Sequence, residues 1–526
     1  MALSESQPCN SACTCSIHLS RSSGILLHPT SLHGRYGVGE LGPEAFEFID
    51  FLQAAGQKLW QVLPLNPTGY GDSPYQCFSA FAGNPLLISL DRLAEIGVLD
   101  RAELRYAPKF CDCEVEFGRV IPHKRDQLLS AARTFFRDSS PQQRAELDAF
   151  REAQRRWLPD FALFMAAKEA HGGVAWTEWD PALRARKPKA LADWRERLAA
   201  QIADHEYWQF EFFRQWRSIQ TRCAERGIHI MGDAPIYVAH DSADVWANQN
   251  SFWLDEAGRP LTVAGVPPDY FSATGQLWGN PIYRWDLMRE SGYQWWIDRL
   301  RAIFGLFEII RLDHFRGFEA YWEVPAGEPT AVNGKWVEGP GRELFIALRN
   351  ALGNLPVVAE NLGVITPEVE ALRKEFGFPG MAIAQFAFSK DEQAPSFRPH
   401  NYVRNLVAYT GGHDNDTMIG WWRSGVEDST RTEAELRKEK TDTAAYFGVT
   451  KEQLDREVNW LFIRAVYASV ARIVLVPMQD VLGLGSEARM NVPGTMGRNW
   501  KWRMKPGSLT SELAERLREF TRIYER

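Results

Sequence analysis

Three short apolar runs in this sequence end on acidic residues, and in each case the acid has a basic or amide neighbour. Ile309-Ile310-Arg311-Leu312 runs into Asp313-His314-Phe315-Arg316, Pro356-Val357-Val358-Ala359 into Glu360-Asn361, and Leu406-Val407-Ala408-Tyr409 is followed by His413-Asp414-Asn415-Asp416-Thr417. If the first two runs are laterally adjacent strands, about 4.8 Å apart, carboxyl groups at their tips sit at roughly 5 Å. That spacing suits a double displacement at an acetal carbon, with one carboxylate as nucleophile and the other as proton donor; an inverting pair would need about 6.5–9.5 Å to admit a water. Arg311 and Asp313 lie two apart and face the same side of an extended strand. A guanidinium there favours the ionised carboxylate that a nucleophile requires. Glu360 has no adjacent cation in sequence, so partial burial would raise its pKa and suit it to donate a proton. For any one strand-end acid a cap or a surface ion pair is the commoner role; three together, flanked by His and Arg, favour chemistry.

Such acids need a scaffold that brings strand ends together. Eight short apolar runs recur along the chain: 59–64, 86–88, 228–231, 309–312, 356–359, 381–384, 406–409 and 473–476. Helical or loop segments separate them, an alternation that predicts a parallel sheet. Eight such strands predict an α/β fold, a closed (β/α)8 TIM barrel whose active site lies at the C-terminal strand ends. Pro43 opens one of the intervening helices and Gly56 closes it. Large insertions are expected after the second and third strands: residues 91–205 as a mainly helical subdomain, and residues 239–285 as a loop-rich insertion over the active site. A long irregular segment in a compact domain is usually functional. Residues 1–20, rich in Ser and Cys, read as a disordered tail, with 21–526 as the catalytic barrel.

Composition narrows the class. The chain has 526 residues, 45% hydrophobic and 24% charged, as ordinary globular proteins do. With 60 Lys+Arg against 67 Asp+Glu the net charge is −7, so the basic excess that phosphate binding needs is missing and no nucleic-acid partner is expected. No apolar run of about 18 residues suggests a membrane span. The 20 Trp, 15 Tyr and 30 Phe supply faces that can stack on sugar rings. Seven cysteines include a C-x-C at Cys111 and Cys113 and no zinc-ribbon spacing; they read as reduced thiols of a cytoplasmic protein, a plastid location being less favoured because the leader is not a transit-type segment. No phosphate-loop, metalloprotease or dinucleotide fingerprint is present, and neither a metal nor a cofactor is called for.

The three acid-bearing blocks, together with His28-Pro29-Thr30-Ser31-Leu32, the stretch from Pro67 to Gln76, Gly232-Asp233-Ala234-Pro235, the segment from Val266 to Pro281, and Glu487-Ala488-Arg489-Met490-Asn491, resemble in order the blocks of the 4-α-glucanotransferase (amylomaltase, or disproportionating enzyme) family of glycoside hydrolase clan H. The resemblance runs from about Arg21 to the C-terminus. It implies Asp313 as nucleophile, Glu360 as acid/base and Asp414 as a third carboxylate gripping ring hydroxyls. It further implies substrate contacts from Ser73, Tyr75, Asp233, Gln276, Trp278, Arg311, His314, Asn361, His413 and Asn491, with Tyr70 on a secondary chain-binding surface. Two positions depart from the pattern: Asn361 where Asp is more usual, and Gly412 where Thr is. The implied activity is retaining transfer of α-1,4-glucan segments between malto-oligosaccharides, including cyclisation, with starch, amylose or glycogen-derived glucans as partners. An α-glucan hydrolase and a non-catalytic glucan-binding protein are the competing readings.

Overall fold

The computed structural model describes residues 17, 20–268, 274–426 and 431–526. Twelve strands are present among them: β1 Ser22–Leu26, β2 Leu59–Gln61, β3 His229–Ala234, β4 Thr262–Val266, β5 Gln276–Pro281, β6 Ile309–Leu312, β7 Ala320–Pro325, β8 Lys335–Glu338, β9 Val357–Ala359, β10 Gly380–Ile383, β11 Leu406–Tyr409 and β12 Ile473–Pro477. Eight of them form one all-parallel sheet in the order β10-β11-β12-β1-β2-β3-β6-β9. The ends of that sheet, β9 and β10, meet without a regular ladder. The Ala359 N–H donates to the Pro379 carbonyl at 2.9 Å, and the Asn361 side-chain oxygen accepts from the Met381 N–H at 2.8 Å. The result is the expected (β/α)8 barrel, closed on one seam by a side chain.

The count of eight barrel strands holds, but one member differs. Residues 86–88 are not a strand: Pro85 and the Asn84 cap, whose Oδ1 accepts from the Leu86 N–H at 3.0 Å, turn Pro85–Leu87 into a 3-10 helix. The missing strand is β1, where only Ile25 and Leu26 are strongly apolar. Gly24 is required there, because a Cβ would fall 2.3 Å from the Leu59 carbonyl oxygen of β2. The barrel interior is filled by side chains from seven of its strands, among them Leu59, Met231, Ile309, Val358, Val407 and Leu475, with Ile17 buried in the same cluster. The remainder of the expected disordered tail, apart from Ser20, lies outside the described residues.

Helices dominate the segment between β2 and β3, including Phe117–Asp138, Leu158–Ala170 and Ala199–Glu225. A buried ion pair ties the first of these to the loop after β1: Lys124 Nζ donates to Glu40 and to the Ile88 carbonyl. The segment 239–285 is more regular than a loop. It supplies β4 and β5, which join β7 and β8 in an antiparallel sheet of order β5-β4-β7-β8. Among the described residues no helix is long and apolar enough to cross a membrane.

Candidate active site

The C-terminal ends of the barrel strands open into a cavity of about 1580 Å³ whose wall includes Asp313, Glu360 and Asp414. Leu312 of β6 pairs with Ala359 of β9, so Asp313 and Glu360 follow laterally paired residues and leave the barrel side by side. Backbone bonds fix both exits: the Asp313 N–H reaches the Ala234 carbonyl of β3 and the Glu360 N–H the Leu312 carbonyl of β6, each at 3.0 Å.

Each oxygen of the Glu360 carboxyl group accepts a backbone N–H, from His314 and from Leu362, both at 2.8 Å. The side chain is buried, which drives its pKa up to about 7; Arg311 opposes this rise and the Asp313 charge adds to it. A carboxyl group so placed carries its proton near neutrality. Asp313 is more open, with 27% side-chain exposure, and its Oδ1 accepts from Arg311 Nη2 at 2.7 Å. The other guanidinium nitrogen donates to Asp233 Oδ2 at 2.5 Å. Asp233 also accepts from the Tyr75 hydroxyl at 2.7 Å. Its carboxyl group is fully buried and does not reach the cavity wall. Asp233 therefore bears on the site through Arg311 and Tyr75.

On the opposite wall the loop after β11 presents His413 and Asp414. Asn491 Nδ2 donates to Asp414 Oδ1 at 2.6 Å, and Asn491 N–H to the His413 carbonyl at 3.1 Å. Asp414 is half exposed. The Tyr75 ring stacks on His413 with centroids 5.0 Å apart and planes at 19°. Trp500 stands behind both rings, 5.7 Å from Tyr75 and 6.0 Å from His413. Sequence reasoning missed Trp500, which lies on irregular backbone at φ +66° with no periodic neighbourhood to flag it.

The antiparallel sheet covers the cavity from the side. Gln276 and Trp278, two apart on β5, both line it, and Trp278 Nε1 donates to Gln276 Oε1 at 3.1 Å. Trp278 meets the His314 ring edge-on, centroids 4.8 Å apart. His314 holds the left-handed conformation at φ +50°, a strained geometry for a residue with a side chain. Burial drives its imidazole down to about 4, so it is neutral, and its Nε2 has no hydrogen-bond partner among the described residues. Trp336 of β8 lies against the Arg316 guanidinium at 3.7 Å, and Arg316 also donates to the Val364 carbonyl beyond β9.

Ser73 and the strongly exposed Tyr70 sit at the rim of the same cavity. Asn361 does not line it. Its Nδ2 donates to Glu370 Oε1 at 2.8 Å while its Oδ1 closes the barrel seam on Met381, so the expected substrate contact is replaced by a scaffold role. Successive residues of an extended chain point to opposite sides, and Asn361 takes the side Glu360 does not. Of the aromatic loop expected to cover the site, residues 269–273 lie outside the described residues.

The comparisons agree with this geometry. A family profile described as 4-alpha-glucanotransferase matches residues 27–510. The chain is 51% identical over 515 residues to the 4-alpha-glucanotransferase of Thermus thermophilus, covering 97% of this chain and 100% of that protein. It is 42% identical to the chloroplastic/amyloplastic 4-alpha-glucanotransferase of Solanum tuberosum, covering 96% of this chain and 86% of that protein. Among solved structures, amylomaltase from Streptococcus agalactiae in complex with acarbose superposes with a TM-score of 0.90 at 40% identity, covering 96% of this chain and 99% of that one. By its barrel, its sequence blocks and these relatives, the chain belongs to the 4-alpha-glucanotransferase family.

Proposed function

We propose that this 4-alpha-glucanotransferase works by a retaining double displacement on malto-oligosaccharides. The observation that carries this reading is the pairing of Asp313 and Glu360 at the tips of adjacent strands, one held by Arg311 and the other buried with its pKa near 7. Asp313 Oδ2, the oxygen not bonded to Arg311, attacks the anomeric carbon. Glu360 gives its proton to the departing 4-oxygen, and a glycosyl ester forms on Asp313. The 4-hydroxyl of an acceptor sugar then attacks the ester carbon while Glu360 takes its proton, which restores both carboxyl groups. An acceptor at the far end of the same chain gives a cyclic glucan.

Asp414, fixed by Asn491, would grip ring hydroxyls and favour the charge-separated transition state. Neutral His314 borders the groove, and the Tyr75 face supplies a stacking platform. Transfer prevails over hydrolysis where water is kept from the ester, and the aromatic flank of Trp278 and Trp336 serves that end. The acarbose complex of the Streptococcus agalactiae relative supports a saccharide in the groove. Free thiols at Cys77, Cys111, Cys113 and Cys223 fit a cytoplasmic place of action.

Digestion of pure maltotriose tests the reading. A transferase yields glucose and a ladder of longer oligomers, and Asp313→Asn abolishes both the ladder and any trapped glycosyl ester. Shorter sugars alone would assign a hydrolase instead.

A further inference from the structure

The structure contains a second reactive centre, on the back of the loop that carries Trp500. Cys111 and Cys113 flank a bend at Asp112 that brings their sulfurs to 2.8 Å, well inside van der Waals contact, as free thiols. Cys113 is exposed and Cys111 half-buried, so both are open to small molecules. The Cys111 sulfur also receives the Cys113 backbone N–H at 3.4 Å. The bond from the Cys113 thiol and this N–H push the Cys111 thiol down, while the same contact raises Cys113. Cys111 is thereby the more acidic thiol of the pair, the one suited to attack, with Cys113 placed to resolve it.

The backbone of this pair is stitched to the active-site loop. The Arg503 side chain donates through Nη1 to the Cys111 carbonyl at 2.6 Å, and the Arg503 N–H to the Cys113 carbonyl at 3.0 Å. The Val115 N–H donates to the Lys501 carbonyl at 2.7 Å, and Glu114 bridges Trp502 in antiparallel fashion. Arg503 is 2% exposed and holds the Gly34 carbonyl as well, so it cannot follow a displaced carbonyl without losing a buried partner. The stitched segment ends next to Trp500, the ring that backs Tyr75 and His413.

We propose that Cys111 and Cys113 are a dithiol–disulfide modification site whose oxidation by a low-molecular-weight disulfide loosens substrate binding through Arg503 and Trp500. The exchange balances as follows. The Cys111 thiolate attacks one sulfur of glutathione disulfide and expels a glutathione thiolate. The Cys113 sulfur then attacks Cys111 and expels the glutathione now attached to it. Two electrons pass to the glutathione disulfide, and the two thiol protons end on the two glutathiones released. The short ring so formed reorients the carbonyls of Cys111 and Cys113 against Arg503.

The full-length protein is equilibrated with oxidised or reduced glutathione, and the tryptic peptide Phe110–Arg119, which holds both cysteines, is weighed. Maltotriose kinetics are measured on the same samples. Oxidation is expected to lighten the peptide by two hydrogens, block its alkylation, and raise KM several-fold with a smaller change in kcat, all reversed by dithiothreitol. Cys111→Ser, which removes the attacking thiol, is expected to keep the kinetics of the reduced protein in both buffers, and Cys113→Ser, expected to stop at a glutathione adduct on Cys111, serves as the second variant should that one fail to fold. In the parent protein, a peptide that stays dithiol, one that stops at a glutathione adduct, or an internal disulfide that leaves KM unchanged overturns the proposal. The mass readout stands whatever the catalysed reaction is.

Discussion

The carboxyl group of Glu360 accepts the backbone N–H of His314 at 2.8 Å, and His314 is the residue that follows Asp313. One peptide unit therefore couples the two acids proposed to act in turn. With that N–H held on Glu360, the strained left-handed φ of His314 sets where its side chain goes, and the ring edge meets Trp278.

Glu360 sets the alkaline limb of activity. With its pKa at about 7, the proton needed for the first step is present below that pH and lost above it. The rate of ester formation is expected to fall as pH rises through about 7. Glu360→Gln should cut turnover of maltotriose by about 10²–10⁴-fold and flatten the profile. A maltosyl fluoride donor, whose leaving group needs no proton, should restore ester formation. The same raised value means that the folded state holds an extra proton between 4.5, the ordinary value, and about 7. On this account stability declines as pH climbs through that window. A pH–rate profile with both donors, and thermal melts across pH, check the two halves.

Trp278 controls the competition between sugar and water. Trp278→Ala removes the ring that lies on His314 and flanks the cavity, and is expected to raise free glucose relative to longer oligomers. An unchanged ratio of hydrolysis to transfer would remove Trp278 from the barrier to water.

Substitution of Asn361 is expected to act on folding and not on binding. Asn361→Ala takes the acceptor from the Met381 N–H and the donor from Glu370, with an expected cost of about 1–3 kcal/mol. KM for maltotriose should stay as in the parent protein. Thermal unfolding and acceptor kinetics on the same variant separate the two effects.

The Lys124–Glu40 pair is wholly buried. Lys124→Met leaves the buried carboxyl group without its cation, held only by the Leu90 N–H, and should cost about 3–5 kcal/mol, most of which Glu40→Gln in the same chain should recover. Burial already holds Glu40 at about 7, so the single variant should suffer more at pH 8, where the carboxyl group must ionise, than at pH 6. Melting temperatures at the two pH values decide it.

Much of the site was legible because its acids follow β-branched runs: Ile309-Ile310 leads to Asp313 and Val357-Val358 to Glu360. What was misread has physical causes. β1 hides because its register depends on Gly24 fitting against β2, a requirement of close approach that hydropathy does not record. Leu86 and Leu87 look like strand but answer to Pro85 and its Asn cap. β4 meets β5 with a register shift between Val263 and Gly265, and its other partner, β7, comes more than 50 positions later, so the segment lacks a clean hairpin pattern and reads as loop. Asn361 shares a sequence block with Glu360 but faces away from it, and Trp500 owes its place to backbone conformation alone.

The covering sheet is not a separable attachment. β7 and β8 lie on the stretch of chain that runs from Asp313 to Glu360, whereas β4 and β5 come from the earlier stretch between β3 and β6. Transplanting 262–281 into another barrel would carry half a hydrogen-bonded unit and strand the other half on the recipient's own catalytic segment. An engineer wishing to exchange product-size preference between relatives must move 262–281 and 320–338 as one cassette.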